Sequence, residues 1–163
     1  MNQAKFMQRQ YIFKPMFSHS NFTLLCAMLT VSLSMPGAAE AGGACIVAKE
    51  LGNSLAIEWI ASQEDTVTSA TEKAEASLRQ QGFTKKKLRD IHLQASTSLP
   101  HAYMVIIKTS YTTQIGKLRT SYGCGFSDIS MGDAERLAVK NLRGYSWGWK
   151  PEFGYELYAK HSY

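Results

Sequence analysis

The chain has 163 residues, 45% of them hydrophobic, and a formal net charge of +5. Its first 41 residues read as a cleavable secretory signal, which leaves 42–163, enough for one domain with a real core and too few for two. That signal holds three of the 18 basic and one of the 13 acidic residues, so the remainder carries 15 against 12, a mild bias that excludes a nucleic-acid signature.

The signal reading rests on Lys5, Arg9 and Lys14 in a stretch without acidic residues, followed by the apolar run Phe22 to Met35. That run falls short of the ~20 residues a permanent membrane helix needs. Pro36 and Gly37 break it, and Ala39-Glu40-Ala41 places small residues at −3 and −1, so cleavage is expected before Gly42. An uncleaved anchor is one alternative and a lipoprotein the other, since Cys45 follows Gly42-Gly43-Ala44, although glycine stands where a lipobox wants leucine and the apolar run ends ten residues upstream. After cleavage no permanent span is expected, and the domain would be periplasmic or secreted. Cys26 leaves with the signal, while Cys45 and Cys124 remain as a candidate disulfide, with free buried thiols as the alternative.

Strand patterns open the domain at 45–49 and, after the turn-like Gly52-Asn53-Ser54, at 55–61, where Leu55, Ile57, Trp59 and Ala61 share a face. The spacing predicts a helix over 66–81, capped by Thr66 or Ser69 and ended by Gly82. A strand follows at 91–96. After Pro100 come strands at 102–109 and 117–124, a helix at 130–143 opened by Ser130 and stopped at Gly144, and a strand at 154–160. At an offset of 64 residues, Ala70, Ala74, Leu78 and Arg79 align with Ala134, Ala138, Leu142 and Arg143. Ile91, Leu93 and Ala95 align likewise with Tyr155, Leu157 and Ala159, and six of these seven pairs are identical. The expected fold is therefore α+β: a single, mainly antiparallel sheet of about six strands with two helices on one face, built from two duplicated ββαβ halves at about 44–97 and 102–161.

The run Tyr122-Gly-Cys-Gly-Phe-Ser127 followed by Asp133-Ala-Glu-Arg-Leu-Ala138 resembles a family of small secreted bacterial domains of unknown function, marked by a Gly/aromatic strand leading into an Ala-Glu helix. The resemblance covers about 40 residues, and family members carry cysteines where this chain has Leu142 and Leu157. It implies export and lends no activity.

Catalytic patterns are weak. Cysteine chemistry would pair Cys45 or Cys124 with His92, which falls on the polar phase of its strand, and the Gly-x-Ser-x-Gly match Gly144-Tyr-Ser-Trp-Gly148 follows a helix instead of the strand that a nucleophile elbow requires, so a serine hydrolase is unsupported. No two histidines are spaced for a metal, and no Cys-x-x-Cys, Walker loop or dinucleotide fingerprint is present, so no metal or cofactor is expected. Glu58, Glu64, Asp65, Asp128, Glu152 and Glu156 are ordinary solvated carboxylates before they are glycosidase candidates.

Two features offer binding chemistry. Lys85, Lys86, Lys87 and Arg89 place four positive charges in five residues between helix and strand, either a solvated connector or a grip on an acidic partner. The Gly-punctuated loop 144–155 carries Tyr145, Trp147, Trp149, Phe153 and Tyr155, suited to a protein hot spot or to sugar stacking, or else to core packing. Subtraction of catalytic motifs leaves a non-catalytic exported binding domain, of the inhibitor or immunity type, acting on an envelope enzyme or toxin. A glycan- or peptidoglycan-binding module is the first alternative and a small envelope hydrolase the second.

Overall fold

A computed structural model describes residues 41–86 and 89–163; the expected secretory signal, through residue 40, and Lys87 and Leu88 lie outside the described residues. The elements run β1 (Gly42–Glu50), β2 (Asn53–Ser62), α1 (Val67–Gln80), β3 (Arg89–Thr97), β4 (Tyr103–Thr112), β5 (Leu118–Ser127), α2 (Met131–Tyr145), a 3-10 turn (Pro151–Phe153) and β6 (Glu156–Ser162). The α+β class and the strand, strand, helix, strand order of each half match the sequence reading. No helix among the described residues is long and apolar enough to cross a membrane.

The expected single sheet does not form. Instead there are two three-stranded antiparallel sheets, ordered β2-β1-β3 and β5-β4-β6. The reason lies in the central strands. In β1, Cys45 and Val47 enter one core cluster with Met104, Ile106, Tyr122 and Cys124 of the other sheet, while Ile46 and Ala48 pack under α1. In β4, Met104 and Ile106 face that shared core, and Val105 and Ile107 pack under α2. A strand that is apolar on both sides needs cover on both, which a sheet with one wet face cannot give. The layers are therefore helix, sheet, sheet, helix.

Both halves repeat this plan in detail. Ala70, Ala74 and Leu78 of α1 and Ala134, Ala138 and Leu142 of α2 are fully buried. Small residues in the stripe let each helix lie close to its sheet. The β1–β3 register slips between Cys45 and Ile46, opposite Ala95 and Leu93, and the β4–β6 register slips between Ile106 and Ile107, opposite Ala159 and Leu157. The extra residues, Gln94 and Tyr158, are thus separated by the same offset as the helices. Gln94 uses its bulge to join the halves: its amide donates to the Tyr122 carbonyl and to Asn141 Oδ1, and Asn141 Nδ2 donates to the Gln94 carbonyl at 2.9 Å. Nearby, the Cys45 and Cys124 sulfurs come within bonding distance across the two sheets, their Cα atoms 6.6 Å apart.

The helix starts are capped as expected. Thr66 accepts from the Ser69 amide and Ser130 from the Asp133 amide, both at 3.1 Å. Gly82 ends α1 at φ 88°, whereas α2 runs through Gly144 to Tyr145. Before α1, the buried Asp65 carboxylate accepts from Lys73 Nζ at 2.5 Å and Ser69 Oγ at 2.6 Å. The Lys73 bond first, then the Ser69 bond, holds this carboxyl below its ordinary range. A carboxyl depressed in the folded state adds stability that is complete above its unfolded pKa of about 3.9 and lost as pH falls through the folded value. Asp65→Asn is therefore expected to lower the urea midpoint at neutral pH and to flatten its decline below about pH 4. Urea titrations at stepped pH check this; an unchanged acid limb would show that the Asp65 contacts contribute nothing.

Candidate functional site

Both hairpin tips lie at one end of the sandwich, because β1 and β4 occupy the same place in each half. The β1–β2 tip is a two-residue turn with Leu51 at φ 50° and Gly52 at φ 76°. Positive φ at both positions is the I′ geometry that Asn and Gly adopt readily and leucine does not. Arg119 of β5 donates to the Leu51 carbonyl, and the Thr120 amide donates to Asn53 Oδ1 at 2.7 Å, so this tip is tied to the other sheet. The β4–β5 tip is closed by the Thr113 amide on the Lys117 carbonyl at 2.9 Å and presents Ile115 to solvent.

α2 ends at the same place. Its stripe of Ala134, Ala138 and Leu142 continues to Tyr145, whose ring stacks on His92 at 5.7 Å between centroids and lies under Lys49 Nζ at 4.9 Å. Burial, then the nearby Lys49 charge, lowers the His92 pKa, and His92 Nε2 has no hydrogen-bond partner among the described residues. After Tyr145 the chain reverses, with the Trp149 amide on the Ser146 carbonyl at 2.8 Å. This turn separates the two tryptophans. Trp147 projects with 95% of its surface exposed, while Trp149 is 7% exposed and packs in the α2 core. The loop is pinned by the Gly154 carbonyl, which accepts from Trp149 Nε1 at 3.1 Å and Thr109 Oγ1 at 2.8 Å. Phe153 stacks on Tyr111 at 5.5 Å.

These three turns enclose a cleft of about 390 Å³, walled by Tyr111, Tyr145, Trp147 and Phe153 with Leu51 and Ile115 from the hairpin tips. Its cations are Lys49, Arg119 and Lys150, and among the described residues no carboxylate lines it. A larger but more open depression, lined in part by Lys117 and Leu118, adjoins it across Leu51 and Arg119. The enclosed cleft is the better ligand site because concavity, not extent, buries a ligand.

Of the loop aromatics expected to bind, Tyr145, Trp147 and Phe153 meet in this cleft. Trp149 supports it from the core, and Tyr155 lies outside it with its hydroxyl donating to Glu135 at 3.1 Å. The basic tract does not line it. Arg89 pairs with Glu50 at 2.7 Å, Lys85 with Asp90 at 3.8 Å, Lys86 is exposed and exchanges backbone hydrogen bonds with Arg89, and Lys87 lies outside the described residues. Sequence reasoning missed Lys49, Arg119, Lys150, Leu51, Ile115 and Tyr111. The readable signal was Leu51-Gly52, a hairpin dipeptide with leucine where asparagine is usual.

The catalytic candidates are dispersed or engaged. Glu58 accepts from Gln81, Glu156 pairs with Lys108 at 3.1 Å, and Asp65 is bound as described. Among the described residues, no group of three or more His, Cys, Asp or Glu side chains is placed to hold a metal ion. No family model matches the chain, and neither a curated protein nor a solved structure matches it.

Proposed function

We propose that this chain is an exported, non-catalytic binding domain that docks a protein partner at its hairpin end, in the manner of an inhibitor of an envelope enzyme or toxin. One observation carries the reading: Trp147, Ile115 and Leu51, exposed by 95%, 76% and 61%, are held on hydrogen-bonded turns around a concave centre. Turns whose backbone is already fixed by hydrogen bonds need not be ordered on association, and exposed aromatic anchors of this kind dominate interface energetics. The strain at Leu51 supports the same end, since an asparagine or glycine would relieve it and leave no apolar side chain there. Export is supported by the leader pattern and by the proximity of Cys45 and Cys124.

Trp147→Ala is expected to weaken partner capture by about 2 kcal/mol, roughly thirty-fold, with no change in the urea midpoint. Ile129→Ala, at an apolar site 74% exposed beyond the far end of β5, serves as the control. Capture from envelope extract with wild type and both variants as bait makes the comparison. A partner retained by Trp147→Ala as well as by wild type would remove the cleft from the reading.

A further inference from the structure

We infer that the partner segment entering the cleft is an acidic, apolar peptide, in which carboxylates alternate with aliphatic side chains. This rests on the docking reading above and names the chemistry of what docks. The charge argument starts from Lys49. It is half-buried, has no ion-pair partner among the described residues, and rests against the Tyr145 ring. Burial already lowers its pKa, a sign that its charge is poorly solvated. Arg119 and Lys150 share the same wall, and Lys117 lies beside Arg119 in the adjoining depression. Glu50 is taken by Arg89, Asp90, opposite Lys49 in the ladder, is engaged by Lys85 at 3.8 Å and by the Ile91 amide, and Glu152 of the 3-10 turn is not part of the wall.

Any occupant strips water from these cations. A neutral occupant leaves them unpaired, and a basic one adds repulsion, whereas carboxylates return the lost solvation. Shape and apolar chemistry select the class of anion. A flat lipid surface meets Trp147, Ile115 and Leu51 at the rim but not Lys49, which is set back among half-buried residues. An acidic saccharide is held chiefly through its hydroxyls, and beyond Gln114 and its Ser, Thr and Tyr hydroxyls the wall is cationic or apolar, with no carboxylate to take their protons. Aliphatic Leu51 and Ile115 instead match aliphatic side chains. A peptide that alternates glutamate with leucine satisfies both demands at once, its acids on the cations and its leucines among the rings.

The test titrates the full chain with a blocked pentapeptide of alternating glutamate and leucine, and with its glutamine and lysine counterparts, reading the fluorescence of exposed Trp147 and confirming affinity by calorimetry. The glutamate peptide is expected to bind with a sub-millimolar Kd, at least about ten-fold tighter than the glutamine peptide, and to weaken about ten-fold when salt rises from about 50 to 500 mM. The lysine peptide should not bind. Lys49→Ala and Lys150→Ala should each remove most of the preference for glutamate over glutamine while keeping the urea midpoint of wild type. Phosphatidylglycerol vesicles and polygalacturonate are titrated in parallel. Equal binding of the glutamate and glutamine peptides, no binding of the glutamate peptide, or tighter binding of vesicles or polygalacturonate would each overturn the inference. If the two peptides bind equally but Trp147→Ala abolishes both, the docking reading survives and the charge inference alone fails. If Trp147→Ala changes nothing, both fall.

Discussion

Gly125→Ala is expected to destabilise the domain by about 3 kcal/mol and to lower its melting temperature by roughly 10 °C. The side chain added would meet the backbone oxygen of Ala134 and the backbone nitrogen of Ala138, so α2 itself lies where the new methyl must go. Gly123 is in the same position one pleat away, under Ala138 and Leu142. Backbone atoms cannot rotate aside as a flexible side chain can. Nor can the helix lift away cheaply, because Ala134, Ala138 and Leu142 close the core over Val105 and Ile107. Gly144→Ala supplies the opposite sign: it lies within α2, an added Cβ there meets nothing within 4 Å, and about 0.5–1 kcal/mol should be gained from helix propensity. Thermal unfolding followed by circular dichroism separates the two. A loss below about 1 kcal/mol for Gly125→Ala would mean that α2 slides along β5 and that the close approach is not required.

The same glycines show how far the sequence could be read. The stripes of Ala70, Ala74 and Leu78 and of Ala134, Ala138 and Leu142 identify two helices that pack closely, and the 64-residue offset predicts that both halves share an order of elements. Sheet count was harder. Alternation in 55–61 suggests a strand with one wet face, and extending that pattern to every strand leads to one sheet covered on one side. The contrary signal sits in β1 and β4, where Ala44 to Ala48 and Met104 to Ile107 are unbroken apolar runs. Such runs mark strands covered on both faces, and two of them in duplicated halves call for two sheets back to back.

The cleft was legible only in part, for a different reason. Tyr145, Trp147 and Phe153 are close in sequence, and any loop that holds them gathers them. Lys49 and Arg119 come from the ends of strands β1 and β5 and Lys150 from the loop after α2, and nothing local says that they meet. They do so because each half folds back at the same end, so that two hairpins and one helix terminus converge. Trp147 and Trp149 were ambiguous on their own, since alternation by two implies a shared face only in a strand. The chain is not extended there: the Trp149 amide closes on the Ser146 carbonyl, and the reversal sends one ring out and the other in.

Reduction of the chain is expected to cost about 4 kcal/mol of folding stability, the entropy of a loop of about 80 residues released in the unfolded state. The bond would join Cys45, in the central strand of one sheet, to Cys124, in an edge strand of the other, 79 positions further along the sequence. It thus spans the one boundary that neither sheet's ladder crosses. Gln94 and Asn141 bridge that boundary by hydrogen bonds, and the shared core fills it, but a domain of this size has little stability to spare. Urea unfolding with and without reductant measures the difference, with thiol alkylation in the native and unfolded states reporting the bond directly. An unchanged midpoint, with both thiols alkylated before reduction, would show that the two sulfurs approach without bonding. The expected loss has a functional consequence. The cleft takes Lys49 and Leu51 from one half and Tyr111, Arg119 and Trp147 from the other, so anything that loosens one half against the other widens it before either half unfolds. Peptide binding should therefore fade at a lower urea concentration than the circular dichroism signal in the reduced chain, and together with it in the oxidised chain. A reducing compartment would not sustain the bond. The dependence of the cleft on oxidation would then tie binding to export.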